Sequence, residues 1–298
     1  MHDRTVRTLQ WAIAVALALL LVPFPSGAQR WSHSIENSAH ALLFALLTWL
    51  LLRTRLPPSR SAVLAALFGA LTELAQSLVG RDASLLDFAN DLLGIGIALL
   101  IHARRNQPRP SLSVALALMV CAVIAPLLWT GAAYAQRHWQ APVLWQQRSW
   151  LDRYFIASHG ARVTSIAASQ CNADRRGRAL RVELQSGQYP GIALEEPLAD
   201  WRGYDRLVVE LANPGAASLP LVLRVHDASH NFEFADRYNH SIDAAAGALI
   251  SLSVDLRDIR QAPAHRTLDL SRVAGVMLFS NGLPLNSTAF CLLSIQLR

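Results

Sequence analysis

Residues 112–129, LSVALALMVCAVIAPLLW, run for eighteen positions without a charge, close to the roughly 20 apolar residues one helix needs to cross the hydrocarbon core of a bilayer. Reading outward toward the N-terminus, four more apolar stretches follow the same rule, at residues 9–24, 35–52, 61–79 and 85–101. Five spans in residues 1–134 predict an all-α polytopic membrane bundle. The charges between the spans orient it. Arg4 and Arg7 precede the first span, Arg53, Arg55 and Arg60 flank the second link, and Arg104, Arg105 and Arg109 the fourth, whereas the first and third links are nearly neutral. Cationic loops stay cytoplasmic, so the expected site is a bacterial inner membrane, with the N-terminus cytoplasmic and everything after residue 129 periplasmic or extracellular. The first stretch has a second reading, since Ser26-Gly27-Ala28 after a basic start and an apolar run also suits a signal peptide.

Outward in the other direction, Trp139, Trp145 and Trp150 alternate with Arg137, Arg148 and Arg153. Residues 135–150 therefore read as a juxtamembrane linker in the headgroup layer, or as a cap on the core that follows. From residue 151 the period becomes two. Leu207, Val209 and Leu211 alternate with Val208 and Glu210, and Ile250, Leu252, Val254 and Leu256 with Ser251, Ser253 and Asp255. Residues 179–184, 221–227, 275–279 and 289–297 read the same way, with turn signals such as Asn213-Pro214-Gly215 between. Many short strands without long helices predict an all-β antiparallel sandwich or jelly roll over residues 151–298. Cys171 precedes its early strands and Cys291 lies on its last, so the two are a disulfide candidate in an oxidising compartment; two free thiols is the other reading.

Composition agrees with this division. Of 298 residues 52% are apolar and only 16% charged. All 27 cations are Arg, and the net charge of +6 is spread over both halves. That excess is too thin and diffuse for a nucleic-acid partner. No Gly-x-Ser-x-Gly elbow, phosphate loop or Cys-x-x-Cys motif is present. No cofactor and no metal is expected: His226, Asp227 and His230 are close in sequence but lack a ligand motif, and Asp243 or Asp255 with Asp258 make only a weak calcium pattern.

The informative residues are those a membrane should not contain, because a charge at mid-span costs about 2.5–3.5 kcal/mol. Glu36 and His40 open the second span, Glu73 and Gln76 lie in the outer part of the third, and Asp87, Asn90 and Asp91 open the fourth. Spacings of three or four place each set on one helix face. All share the outer leaflet, with Arg81 and Ser84 in the short loop beside them. A hydrogen-bonded staple, a ligand pocket and a catalytic cluster all fit this pattern.

Glu36-Asn-Ser-Ala-His40, then Glu73-x-x-Gln76, Arg81, Ser84, Asp87 and Gly94 resemble the VanZ-like membrane family over residues 31–104. The family is named for a protein associated with lowered susceptibility to the glycopeptide teicoplanin. Two positions depart from its pattern: Asn37 stands where the family usually has Lys, and Asp91 where it more often has Asn. The second half is similar to galactose-binding-like jelly rolls, including family 11-type carbohydrate-binding modules, at Tyr189-Pro-Gly191, at residues 200–205, at His226-Asp227 and at Asp236-Arg237-Tyr238-Asn239. That resemblance implies sugar binding, for which Phe232, Phe234 and Tyr238 supply stacking faces and Asp236, Arg237 and Asn239 planar polar groups. The expected function is a cell-envelope membrane protein in contact with lipid that engages envelope glycans or lipid-linked sugars. The alternative is an intramembrane enzyme acting on a lipid-linked sugar or polyprenyl phosphate, with Glu73 or Asp87 as general acid or base, His40 as proton shuttle and Arg81 holding phosphate.

Overall fold

The computed structural model describes residues 6, 7, 9–11, 13, 14, 16, 17, 30–54, 56–78, 85–171, 176–185, 187–281 and 289–298. They form two units, Met1–Ala132 and Ala133–Arg298.

The first unit is helical: α1 (Arg30–Arg53), α2 (Pro58–Leu78), α3 (Leu85–Asn106) and α4 (Pro110–Gln140), whose last turns belong to the second unit. Pro58 and Pro110 sit at helix starts, where the missing amide has no partner to lose. Asp87 in the first turn of α3 and Arg104 and Arg105 in its last complement the helix dipole. α1 and α3 approach closely at Gly94, where an added Cβ would lie 2.1 Å from the Ala41 carbonyl oxygen; only glycine fits there. Around it Phe44, Leu47, Leu51, Ala65 and Ile95 form a small buried cluster.

Three described helices, α1, α3 and α4, are long and apolar enough to cross a membrane. The five expected spans are thus not recovered as a set. The stretch 9–24 lies largely outside the described residues, and 61–79 falls on α2, which is helical but not one of the three, its later turns carrying Thr72, Glu73 and Gln76.

The second unit is a sandwich of two antiparallel sheets. One has the order β3 (Ala161–Ala167), β4 (Arg178–Leu184), β11 (Ala289–Leu297), β6 (Arg206–Ala212), β9 (Leu249–Asp255), with β1 (Val143–Gln146) also paired to β11. The other has the order β2 (Ile156–His159), β5 (Gly191–Glu195), β10 (Val273–Phe279), β7 (Leu219–Asp227), β8 (Tyr238–Ala244). The pairings β4 with β11, β5 with β10, β6 with β9 and β7 with β8 are nested. A hairpin of hairpins whose successive pairs alternate between two sheets is a jelly roll. Leu180, Val182, Leu207, Val209, Leu211, Leu221, Leu223 and Val225 fill the space between the sheets.

In β11 a bulge between Leu292 and Ser294 shifts the alternation, so Phe290 and Leu292 face the core before it and Ile295 and Leu297 after it. Cys291 and Leu293 turn to the other face, where Cys291 is disulfide-bonded to Cys171 with Cα atoms 6.1 Å apart.

Of the two readings of residues 135–150, a headgroup-layer linker or a cap on the core that follows, the structure shows the second, since the segment is part of this unit. Trp145 is only 2% exposed and donates its indole N–H to the Asp152 carbonyl at 2.9 Å. Arg137 stacks on the Phe155 ring, 3.1 Å from its centroid. Four residues of β1 are too short a run to show period two, which is why the strand is hidden in the sequence. Trp139 and Trp150 do remain exposed.

Candidate functional site

Two polar constellations stand out, one in each unit. In the first, the His40 Nδ1 lies 3.0 Å from Asp91 Oδ1, a hydrogen bond between α1 and α3 with the Asp91 side chain fully buried. Glu73 of α2 joins them: one ligand atom from each of His40, Glu73 and Asp91 lies within 4.8 Å of the others. Gln76, one turn further along α2, is also buried. Asp87 and Asn90 are half-buried. Glu36 lies 3.5 Å from the His33 ring, so the expected Glu36–His40 face divides, and His40 looks to Asp91 instead. Arg81 and Ser84 lie outside the described residues.

In the sandwich, the side chains opposite the core on the five-stranded sheet follow from the register. Arg224 of β7 stands between Met277 of β10 and Asn239 of β8, while His226 is paired with Gly275 and Val222 with Phe279. The loop from β7 to β8 rises beside this face. Asp227, fully buried, and Asp236 are both held by the Arg266 guanidinium, the first through bonds of 2.5 and 2.8 Å. Asn231 and Glu233 close the loop by backbone bonds to Asp236 Oδ2 and Asn231 Oδ1. On this clamped loop Phe232 is 84% exposed at a φ of 70°, and Phe234 is 72% exposed with Arg237 5.5 Å from its ring centroid. The His230 ring links the loop to the face, 5.5 Å from Phe232 and 5.2 Å from His226, with its Nε2 2.7 Å from Arg224 Nη2. Tyr189, half exposed, packs edge-on against Phe279 at 5.7 Å.

The electrostatics are those of a crowded cationic face. Burial, then Arg237, lowers the Arg224 pKa to about 10. Burial, then Arg224 and His230, holds His226 down to about 4, so its ring is neutral at neutral pH. Burial lowers Arg237 too. Neither Arg224 nor Arg237 has a carboxylate within ion-pair distance among the described residues. The Arg224 Nε and the His226 Nδ1 are buried without a hydrogen-bond partner. Asp236 is held far below the carboxylate range, first by Arg266 and then by the Asn231 amide. At Asp227 burial pushes upward, but the Arg266 and Asp269 bonds outweigh it and lower the pKa.

Of the residues expected to bind a ligand here, Phe232, Phe234, Arg237 and Asn239 reach the face or its rim. Asp236 is occupied by the clamp, and Tyr238 turns inward and joins the core, because it pairs with inward-facing Val225. Arg224, Met277 and Phe279 carry no sequence motif; only their alternation with core residues marks them. His226, Asp227 and His230 do not make a metal set, since the Asp227 carboxylate is taken by Arg266. The stretch 200–205 builds a turn: Trp201 is buried and Asp200, paired with Arg202, is lowered to about 2. Asp255 caps a short helix, α5 (Leu256–Gln261), and Asp243 accepts from Ser218.

No family model and no curated protein matches the chain. Among solved structures it is similar to an exo-beta-agarase, at 18% identity and a TM-score of 0.43, covering 52% of this chain and 24% of that one. It is likewise similar to a family 11 carbohydrate-binding module from Clostridium thermocellum in complex with a beta-1,3-1,4-mixed-linked tetrasaccharide, at 17% identity and a TM-score of 0.40, covering 52% and 93%. A family 29 carbohydrate-binding module follows, at 13% identity and a TM-score of 0.34, covering 52% and 89%. The likeness is one of fold. The chain spans about a quarter of the agarase's length. The resemblance of residues 31–104 to the VanZ-like family has no counterpart among these matches.

Proposed function

We propose that this is a polytopic envelope membrane protein, VanZ-like in its helical unit, whose exported sandwich binds carbohydrate carrying anionic groups across the outward face of the five-stranded sheet. The observation that carries the reading is Phe232. An aromatic that is 84% exposed gains little from packing, and a left-handed φ of 70° costs a non-glycine residue about 1–3 kcal/mol. The Arg266 clamp holds it there. Aromatic faces stack on sugar rings, neutral His226 and Asn239 suit hydroxyls, and Arg224 and Arg237, without carboxylate partners among the described residues, suit carboxylate or phosphate. Leu118, Ile124 and Leu128 of α4 and Leu42 and Leu46 of α1 are exposed; on this reading lipid covers them. On the same reading the Arg clusters lie on the cytoplasmic side, with the N-terminus in the cytoplasm and the sandwich outside.

The test is a glycan microarray probed with the full-length protein in an amphipol, since glucoside and maltoside detergents would compete. Uronic-acid- or phosphate-bearing glycans should be retained above their neutral counterparts. Failure to retain any glycan would remove the reading, and retention of neutral glycans alone would remove its anionic part.

A further inference from the structure

His40, Glu73 and Asp91 come from three different helices, and their ligand atoms converge to within 4.8 Å. Two carboxylates and one imidazole are thus buried together among apolar helices, and burying charged groups costs several kcal/mol per ion. A second observation points into the same space. Asp91 is fully buried; its Oδ1 is engaged by His40, but its Oδ2 has no hydrogen-bond partner. That oxygen faces α2 at Gly69, where a Cβ would lie 2.8 Å from it. Gly69 is one helical turn before Glu73, so the unpartnered oxygen is directed at the helix that supplies the third group.

We propose that His40, Glu73 and Asp91 hold one divalent transition-metal ion inside the helical unit. Ligands 2.0–2.2 Å from one tetrahedral ion lie about 3.3–3.6 Å apart, a separation the three side chains reach by small torsional changes. The donor set favours zinc, manganese or ferrous iron over calcium or magnesium, which take six or more oxygens or keep most of their water. The ion would take one oxygen from each carboxylate and a nitrogen from His40, and three protein ligands leave at least one position for an external oxygen, from water or from a phosphate. This inference concerns the helical unit and stands apart from glycan binding.

The probe is zinc alone. Full-length protein in detergent is stripped with chelator, loaded with zinc, desalted and assayed for metal per chain, beside the triple variant His40→Ala, Glu73→Gln, Asp91→Asn and a control, His226→Ala with His230→Ala. The wild type and the control should each retain one more equivalent than the triple variant, and zinc should raise the melting temperature of those two only. Equal retention by wild type and triple variant would overturn the site. If the triple variant does not elute as a monodisperse species, X-ray absorption on the zinc-loaded wild type decides. Nitrogen and oxygen at about 2.0–2.2 Å with imidazole outer-shell scattering supports the site, and a sulfur shell from Cys121, or no imidazole signal, overturns it.

Discussion

At the scale of single residues, Arg266 does most to fix the proposed binding face, although nothing in the sequence marks it. Its guanidinium spans Asp227 and Asp236, at the two ends of the loop that presents Phe232 and Phe234. Arg266→Ala would leave the Asp227 carboxylate buried and unpaired, and breaking such a pair costs about 3–5 kcal/mol. With Arg266 itself partly exposed, the lower end is expected: a loss of about 3 kcal/mol, or about 6–12 °C in melting temperature for a unit of this size. Differential scanning calorimetry checks this, and Arg266→Lys should not rescue it, because one ammonium cannot replace the fork. His226 sets the acid limit. Its folded pKa of about 4 lies below the unfolded value near 6.5, so between these values the unfolded chain binds the extra proton. Stability is complete above about pH 6.5 and falls as the pH drops toward 4, by at most about 3 kcal/mol. Urea titrations across that window should show the slope, and His226→Gln should flatten it. Residue identity alone misplaced Tyr238, since an aromatic beside Arg and Asn looks like a ligand contact until the register with Val225 turns it inward. The same register reveals Arg224, invisible in the sequence within an apolar run.

At the scale of elements, legibility followed length and alternation. The strands β4, β6, β7, β9, β10 and β11 are evident because their seven to nine residues alternate or run apolar, whereas β3 and β8, also seven residues each, are not, since polar side chains stand on both of their faces. β1 and β2, with four residues each, and the shorter β5, apolar almost throughout, could not display alternation. The disulfide ties the segment after β3 to β11 and closes a loop of sequence separation 120. Loops of that length stabilise by about 4–5 kcal/mol in the chain-entropy account, with 2–4 kcal/mol typical in practice. Replacing Cys171 and Cys291 together by Ser should therefore lower stability by about 3 kcal/mol and leave the fold intact, because the two thiols sit outside the main core. Equilibrium denaturation of the oxidised wild type and the double variant gives the difference.

At the scale of the whole molecule, the division into a helical and a β unit was legible from the change of apolar period, but the boundary moved. Ala133 replaces residue 151 as the start of the second unit, since Tyr134, Arg137 and Trp145 belong to the sandwich. The polar residues of the helices were legible as a set, and their partners were not: helix facing alone cannot show that His40 meets Asp91 rather than Glu36. The proposed orientation is open to a direct check. Alkaline phosphatase fused after Ala135 should be active and a fusion after residue 55 inactive, because the enzyme folds only outside the cytoplasm. Carbohydrate contact by the clamped aromatic loop is tested most directly by isothermal titration. Full-length wild type and the Phe232→Ala, Phe234→Ala double variant, both in amphipol, are titrated with the strongest acidic glycan from the array. Removing two exposed rings should leave the melting temperature unchanged and weaken binding at least about tenfold, or about 1.4 kcal/mol. Equal affinity in both proteins would contradict a carbohydrate-binding role for this loop.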